Sequence, residues 1–289
     1  MKVKMILEGG GLRGLYTCGV LDVLMENEIE VDSITGVSAG ALFGANYFSK
    51  QPGRALQYNK TFCKDKGYMS LRSLILTGNY INKKFAYYKV STDYFPFDNK
   101  TFMKSGKEFI AVVTNIKTGK PEYMKIEDGM KQMEVFRATS AMPLVIRPVK
   151  INGEKYVDGG VSDSIPIDYQ YGEFDKTIVV LTQHDGYQKK PLSKMKQRLV
   201  RFKFRKYPEL IDVMLNRYDD YNKRLEQIKE LEKKGEIFVI RPSRKVRIKI
   251  NESNPNRYQA VYDIGARDAK KIIKDLKKYL GAKWESKML

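Results

Sequence analysis

Short apolar runs in the chain predict β-strands, because strands in globular proteins are typically about 5 residues long and are bounded by turn residues. The predicted strands are residues 2–7, 31–37, 108–115, 121–126, 155–157, 177–182 and 237–240. Apolar residues that recur three and four positions apart predict helices. The predicted helices follow the first two strands, occupy part of 56–76, span 130–140, run from Pro208 to Gly235 and begin again at Pro255.

Between these elements, residues 81–107 are rich in aromatic side chains. The stretch contains Phe85, Tyr87, Tyr88, Tyr94, Phe95, Phe97 and Phe102. Aromatic residues in this number either cover a core or line an apolar substrate groove. We expect core cover, with the groove as the alternative.

The segment Gly36-Val37-Ser38-Ala39-Gly40 joins a predicted strand to a predicted helix. A glycine two positions before and after a serine is typical of a tight strand–turn–helix elbow, where larger side chains would collide across the turn. Such a turn holds the hydroxyl at a helix N-terminus, where backbone N–H groups receive negative charge. Ser38 is therefore a candidate nucleophile, although the same spacing also occurs in ordinary loops.

A second glycine-rich segment follows the first strand. Its residues of interest are Gly9, Gly10, Gly11, Arg13 and Gly14. Consecutive glycines leave backbone N–H groups uncovered, which is what an oxyanion hole requires. The side chain of Arg13 either steadies this loop or meets a phosphate, and we favour the structural role.

The same loop also satisfies the G-x-G-x-x-G fingerprint of dinucleotide-binding folds. Glu30 and Asp32 lie near the spacing of the acid that binds the ribose in such folds. A dinucleotide-dependent oxidoreductase is thus an alternative function. Because the second strand leads directly into the serine turn, the sequence favours acyl transfer over hydride transfer.

An aspartate followed by two glycines, Asp158-Gly159-Gly160, ends the strand at 155–157. Without side chains on the next two residues, this aspartate can reach into a cleft, although an Asp-Gly pair is also a common turn. Asp163 and Asp168 are predicted to be turn and capping residues.

Composition narrows the class of protein. The chain has 289 residues, 42% of them hydrophobic, and no repeat or linker divides it, so we expect one domain over residues 1–289. Two cysteines and one histidine are too few for a disulfide framework or a zinc site, and we expect no metal. The first apolar stretch is too short for a signal peptide, and no run approaches the ~20 residues that span a bilayer. A cytoplasmic location is expected.

The charge is strongly positive. Fifty-three Lys and Arg against thirty-four Asp and Glu leave a net charge of +19, which favours anionic partners such as acidic lipid head groups or nucleic acid. The segment 189–206 holds nine basic residues and no acid. A helix from about Ser193 would carry Met195, Leu199 and Phe202 on one face and cations on another, as in helices that lie on anionic membranes. Packing of that apolar face on the core is an equal alternative, and we expect no nucleic acid because no aromatic stacking platform accompanies the cations.

Taken together, these segments resemble the patatin-like phospholipases, including bacterial lipid acyl hydrolases. The segments that carry the resemblance are Gly9-Gly10-Gly11-Leu12-Arg13-Gly14, Gly36-Val37-Ser38-Ala39-Gly40, Ala138-Thr139-Ser140-Ala141-Met142-Pro143 and Asp158-Gly159-Gly160. The resemblance covers about residues 3–182, and residues 183–289 are expected to complete the same fold.

The resemblance implies a three-layer α/β/α fold with a mostly parallel central sheet. It also implies a catalytic dyad of Ser38 and Asp158, with the Gly9–Gly14 loop as the oxyanion hole. The implied activity is hydrolysis of the carboxylic esters of phospholipids or lysophospholipids. We expect no cofactor, and the basic segment 189–206 indicates peripheral contact with an anionic membrane surface. A third alternative is a non-catalytic protein, built on a hydrolase scaffold, that binds membranes or nucleic acid.

Two chemical questions follow from this implied dyad. A free aspartate has a pKa near ~3.9 and is a weak base, so Asp158 has to be desolvated or tightly hydrogen-bonded to serve. Ser38, Asp158 and His184 also appear in the chain order of an α/β-hydrolase triad. We expect His184 to lie in an ordinary exposed turn, because the resemblance pairs the serine directly with the aspartate.

Overall fold

The computed structural model describes residues 1–281, except for the side chains of residues 71 and 72. In this part of the chain, eight strands form one mixed sheet. They are β1 (Val3–Leu7), β2 (Ser33–Val37), β3 (Glu108–Asn115), β4 (Pro121–Lys125), β5 (Val149–Ile151), β6 (Glu154–Asp158), β7 (Lys176–Val180) and β8 (Ile237–Ile240). The order across the sheet is β5-β6-β3-β2-β1-β7-β8, and β4 pairs with β3 off this path.

The helices connect and cover these strands. They are α1 (Gly14–Glu26), α2 (Ala39–Phe48), α3 (Arg54–Phe62), α4 (Leu71–Thr77), α5 (Asn99–Lys104), α6 (Met133–Thr139), α7 (Lys194–Lys203), α8 (Pro208–Lys233) and α9 (Pro255–Leu280). A π-helix spans Lys84–Tyr94, and short 3₁₀ helices span Gly11–Arg13 and Gly159–Val161.

Alternation along β1 shows how the sheet separates two helical layers. Met5 and Leu7 point into a large core that includes residues of α1, α2 and α9. Ile6, between them, points to the opposite face and packs with Tyr221 and Ile228 of α8. Successive side chains of a strand point to opposite faces. The protein is thus a three-layer α/β/α structure, as predicted.

The five strands β3-β2-β1-β7-β8 run parallel to one another. At one side of the sheet, β4 and β6 pair antiparallel with β3, and β5 pairs antiparallel with β6. The carboxyl ends of the parallel strands meet at one edge of the sheet, where ligands bind in open α/β sheets. Both glycine-rich turns lie at this edge, one after β1 and the other after β2.

The last helix packs unusually close to the first. A methyl group added to Gly19 of α1 would lie 2.1 Å from the carbonyl oxygen of Tyr262, and one added to Gly265 of α9 would lie 2.0 Å from that of Tyr16. Only glycine allows the two backbones to approach so closely. The hydroxyl of Tyr262 also donates to Asp22, at 2.8 Å.

The C-terminal elements belong to the same sheet and core as the N-terminal ones. Strand β8 pairs with β7, and α8 and α9 cover opposite faces. From these contacts we propose that residues 1–289 form one domain. Residues 282–289, which this prediction includes, lie outside the described residues.

Candidate active site

Ser38 forms the tip of the elbow between β2 and α2. Its backbone has φ 53° and ψ −121°, a conformation that side-chain-bearing residues rarely adopt. Gly36 and Gly40 are both required by close contacts. A methyl group on Gly36 would lie 2.6 Å from the Cα of Ala41, across the turn, as predicted. On Gly40 it would meet the carbonyl oxygen of Leu7 at 2.4 Å, so the constraint there comes from strand β1 and not from the turn.

The sheet register brings the Asp158 turn to the same level as the serine. Val37 of β2 pairs with Val112 of β3, and the next residue of β3, Val113, pairs with Asp158 of β6. Ser38, the residue after Val37, therefore lies level with Asp158, with β3 between them. The Ser38 hydroxyl donates to Oδ2 of Asp158 at 2.7 Å.

Backbone contacts fix the carboxylate of Asp158. The amide of Gly160 donates to its Oδ1 at 2.8 Å. A methyl group on Gly159 would lie 2.1 Å from the carbonyl oxygen of Val112, so this position also requires glycine. The first glycine of the pair thus lets the turn pack against β3, and the second supplies a donor.

Burial raises the pKa of Asp158, while the hydrogen bond from Ser38, the charge of Arg217 and the amide of Gly160 oppose the rise. Ser38 and Asp158 are both only 6% exposed. The structure therefore provides both conditions that a basic aspartate requires, desolvation and a short bond to the serine.

The segment that ends α6 ties the two halves of the site together. The hydroxyl of Thr139 accepts the amide of Ser38 at 2.9 Å and donates to the carbonyl oxygen of Val112 at 2.5 Å. Two residues further on, the carbonyl oxygen of Ala141 accepts the amide of Asp158 at 3.0 Å. The sequence marked this segment only through its resemblance to a family, and no pattern in it indicated these contacts.

The glycine loop after β1 lies directly against the serine. A methyl group on Gly9 would lie 3.2 Å from the Cβ of Ser38. Among the contacts of residues 1–281, no hydrogen bond occupies the amides of Gly9, Gly10 and Gly11. These three amides are free to stabilise an oxyanion.

The amides of Arg13 and Gly14, which the prediction also placed in the oxyanion hole, are already used. Arg13 donates its amide to the carbonyl oxygen of Gly10 at 3.1 Å, and Gly14 donates to those of Gly11 and Leu12. These bonds close the 3₁₀ turn that leads into α1. The amides of Gly9, Gly10 and Gly11 therefore remain the candidate donors, because the chain begins to coil at Gly11.

A buried acid, Glu8, fixes the start of this loop and was not predicted to have a role. One of its oxygens accepts the amide of Thr182 at 2.5 Å, and the other accepts the hydroxyl of Tyr221 at 2.6 Å. Glu8 thereby links the loop after β1 to the end of β7 and to α8. A fully buried carboxylate needs such partners.

Helix α8 also reaches the Asp158 turn. The guanidinium of Arg217 donates through Nε to the carbonyl oxygen of Gly160 and through Nη2 to the hydroxyl of Ser164, the latter at 3.3 Å. Arg217 thus holds the turn that carries Asp158. No motif in the sequence indicated this residue, which lies well outside the segments that carry the family resemblance.

A deep, mainly apolar pocket opens beside Ser38. It contains about 1080 Å³ of space, including the part that is open to solvent. Its walls come from the glycine loop after β1, α2, α3, the π-helix and α6. Tyr87 and Phe97 line it, whereas Phe102 is buried in the core. The aromatic stretch therefore contributes both to the core, as expected, and to the wall of an apolar pocket, as in the alternative.

Three other residues that the sequence singled out are not part of the Ser38–Asp158 pair. His184 contacts the carbonyl oxygen of Asp185 at 2.6 Å and the ring of Tyr187, and it does not line the apolar pocket. Asp32 accepts the amide of Val3 at 2.8 Å, so it lies at the end of the sheet opposite the glycine loops. This position is incompatible with a ribose-binding acid and argues against the dinucleotide alternative. Asp163 is buried, where its carboxylate accepts the hydroxyl of Tyr123 and the amide of Ile165, the second of which is the local bond expected of a turn or capping residue.

Helix α7 exposes the apolar face that the sequence left ambiguous. Met195, Leu199 and Phe202 are 77%, 49% and 70% exposed. Val200 is buried instead and anchors the helix to a small core below it. The alternative in which the face of Met195, Leu199 and Phe202 packs inward is therefore wrong.

The fold and the site define a class of α/β protein in which a serine at a strand–helix elbow faces a buried aspartate. A family model described as patatin-like phospholipase matches residues 5–170, more than half of the chain, and the protein belongs to that family. A second model, a domain of unknown function (DUF6363), matches residues 207–281. No helix within residues 1–281 is long and apolar enough to cross a membrane.

Individual relatives share the N-terminal part of the chain. The uncharacterized protein YjjU of Escherichia coli (strain K12) is 29% identical over 185 residues, which cover 62% of this chain and 51% of YjjU. Lysophospholipase nte1 of Aspergillus fumigatus is 29% identical over 175 residues, 59% of this chain and 11% of that protein. The chain thus spans about half or less of the length of these relatives. The crystal structure of VipD from Legionella pneumophila aligns over 95% of this chain and 67% of that one, with 13% identity and a TM-score of 0.47.

Proposed function

We propose that this protein is a serine lipid acyl hydrolase that cleaves carboxylic ester bonds of phospholipids or lysophospholipids. The observation that carries the proposal is the 2.7 Å hydrogen bond between the Ser38 hydroxyl and the buried Asp158 carboxylate, beside an apolar pocket. Membership of the patatin-like phospholipase family and the likeness to a lysophospholipase support a lipid ester as the substrate.

In the proposed reaction, Oγ of Ser38 attacks the ester carbonyl carbon while its proton passes to Asp158. The amides of Gly9, Gly10 and Gly11 stabilise the negative charge that develops on the carbonyl oxygen. The intermediate collapses to an acyl-serine, and the alcohol leaves with the proton from Asp158. Water, deprotonated by the same carboxylate, then releases the fatty acid and restores the serine.

Labelling with a fluorophosphonate tests the nucleophile. The wild-type protein should form an adduct at Ser38, and the Ser38→Ala variant should form none. The same variant should fail to hydrolyse short-chain p-nitrophenyl esters while keeping its circular dichroism spectrum. Hydrolysis by a folded Ser38→Ala protein would refute the assignment.

We further propose that the protein is cytoplasmic and contacts anionic membranes peripherally through α7 and the end of α4. The apolar face of α7 is flanked by cations, and Ile75 and Leu76 of α4 are 81% and 70% exposed. Arg147 lies against Gly78 after α4, and burial together with the nearby charge of Arg147 lowers the pKa of Lys203 in α7. Exposed apolar side chains surrounded by cations are typical of helices that lie on an anionic lipid surface.

This surface lies beside the apolar pocket. The amide of Tyr80, a pocket residue, donates to the carbonyl oxygen of Val145 at 2.8 Å, and the amide of Arg147 donates to Asn79 at 3.0 Å. A lipid drawn from the bilayer would therefore have a short path to Ser38.

A further inference from the structure

A group of cations stands near the dyad but outside the apolar pocket. Arg217 of α8 holds the carbonyl oxygen of Gly160, two residues from Asp158. Tyr221 lies one helical turn after Arg217 in α8, and the ammonium of Lys189 lies 4.1 Å from the centre of its ring. Arg13 belongs to the glycine loop after β1. None of the three cations lines the apolar pocket.

No carboxylate of the described residues forms an ion pair with these cations. Within residues 1–281, none of the three forms an ion pair with a carboxylate within 4.0 Å. Glu8 lies nearby, but both of its oxygens are already bonded to Thr182 and Tyr221. The Nε of Arg13 is buried without a hydrogen-bond partner in this part of the chain.

Lys189 is held in place by its backbone. Its amide donates to Asn222 at 2.8 Å, and its carbonyl oxygen accepts from the same side chain at 3.0 Å. Burial and the charges of Arg217 and Arg13 lower the pKa of Lys189 to about 7, against the opposing effect of Glu8. A bound anion would relieve this repulsion, because it would offset three like charges at once.

We propose that Lys189 and Arg217, with Arg13 beside them, bind the phosphate of a glycerophospholipid while its acyl chain occupies the apolar pocket. This inference rests on the proposed function and names the residues that would recognise the phosphate of its substrate. A phospholipid has an apolar end and an anionic end, which suit an apolar pocket beside Ser38 and a separate group of cations near the Asp158 turn. Lys and Arg are common phosphate ligands, and charge-assisted bonds to phosphate are strong.

The two main residues of this site lie outside the region that matches the patatin-like family. The match ends at residue 170, whereas Arg217 lies in the region 207–281 that matches a domain of unknown function. Our proposal therefore gives this C-terminal region a role in recognising the substrate as well as in closing the fold.

The test compares two soluble substrates with the same ester bonds, dihexanoylphosphatidylglycerol and dihexanoylglycerol, each below its aggregation limit so that membrane contact plays no part. Lys189 is the residue to change, because its ammonium donates no hydrogen bond within residues 1–281, whereas Arg217 also holds the Asp158 turn. For Lys189→Gln, we expect the ratio of kcat/KM for the phosphate-bearing over the neutral substrate to fall about tenfold. Lys189→Arg should keep most of the ratio.

Lys233→Gln is the matched control, because it removes the same charge at an exposed position at the end of α8. It should leave the ratio at the wild-type value. An equal ratio in Lys189→Gln and Lys233→Gln would overturn the phosphate site. An equal loss on both substrates in Lys189→Gln would also overturn it, because it would indicate a purely structural lysine.

A second measurement does not depend on hydrolysis. Acetic anhydride should acetylate Lys189 more slowly in the presence of glycerophosphate than in glycerol at equal ionic strength, with Lys233 as the internal reference. If the wild-type protein cleaves neither substrate, the proposed hydrolase fails, and this protection alone decides whether phosphate binds. Absence of protection overturns the site. Protection by inorganic phosphate together with an unchanged substrate ratio would assign the site to free phosphate and overturn the lipid headgroup.

Discussion

The backbone of Ser38 offers a test of the elbow that needs no substrate. We expect the Ser38→Gly variant to be more stable than Ser38→Ala. Both variants lose the hydroxyl and its bond to Asp158, but only glycine fits φ 53° and ψ −121° without strain. The comparison therefore isolates the backbone conformation of the nucleophile.

The size of the effect follows from two opposing contributions. Holding a side-chain-bearing residue in such a conformation costs about 1–3 kcal/mol. Glycine loses more conformational freedom on folding, which costs about 0.5–1 kcal/mol relative to alanine. The free energy of unfolding of Ser38→Gly should therefore exceed that of Ser38→Ala by about 1 kcal/mol. The corresponding difference in Tm is about 2 °C for a protein of this size.

Urea denaturation followed by far-ultraviolet circular dichroism measures this difference directly. Ser73 of α4 provides the control pair, because it is a serine in an ordinary helix. There the order should reverse, with Ser73→Ala more stable than Ser73→Gly by about 1 kcal/mol. If Ser38→Ala proves equal to or more stable than Ser38→Gly, the elbow is not strained and our reasoning about this turn is wrong.

Three further predictions concern catalysis and lipid contact. Asp158→Asn should lower kcat by orders of magnitude, because it removes the base next to the serine. His184→Ala should retain most of kcat in the same ester assay. A folded but inactive His184→Ala variant would favour a triad of Ser38, Asp158 and His184. Changing Arg198 and Arg201 to glutamate should weaken salt-sensitive sedimentation with phosphatidylglycerol vesicles, and equal binding of the wild-type protein to neutral vesicles at high salt would contradict the electrostatic contact. The preference for phosphate-bearing substrate should decline as pH rises from 6 to 8.5, because Lys189 loses its proton near its pKa of about 7. The groups around Lys189 are Glu8, Arg13, Arg217 and Tyr221. A flat pH profile of the substrate ratio would contradict this prediction.

The sequence predicted the elements that local patterns determine. Strands β3 and β8 and the start of α9 lie where the apolar runs and Pro255 placed them. The two glycine turns and the Asp158 turn were found because their chemistry depends on residues close together in the chain. The three-residue strand β5 was missed, because so short an apolar run has no detectable period.

The parts of the site that were missed depend on contacts between distant residues. Thr139 reaches Ser38 from 101 residues away, and the Tyr221 hydroxyl reaches Glu8 from 213 residues away. Neither pair has a spacing that a single sequence can reveal. The bonds that the amides of Arg13 and Gly14 make within a 3₁₀ turn were not predicted for a different reason, since whether a loop continues as an open turn or coils into a helix depends on the packing around it.

The glycine crossing between α1 and α9 bears on the order in which the protein is made. Synthesis proceeds from the N-terminus, so Ser38 and Asp158 are made before Gly265. Until α9 is present, α1 has no partner against the narrow surface at Gly19, and α1 is the helix that follows the glycine loop. The glycine loop, the Ser38 elbow and the Asp158 turn thus leave the ribosome early, but the helix that follows the glycine loop gains its packing only when the C-terminal region has been made. We therefore expect the proposed ester hydrolysis to appear only late in synthesis, after the nascent chain already carries all three of these segments.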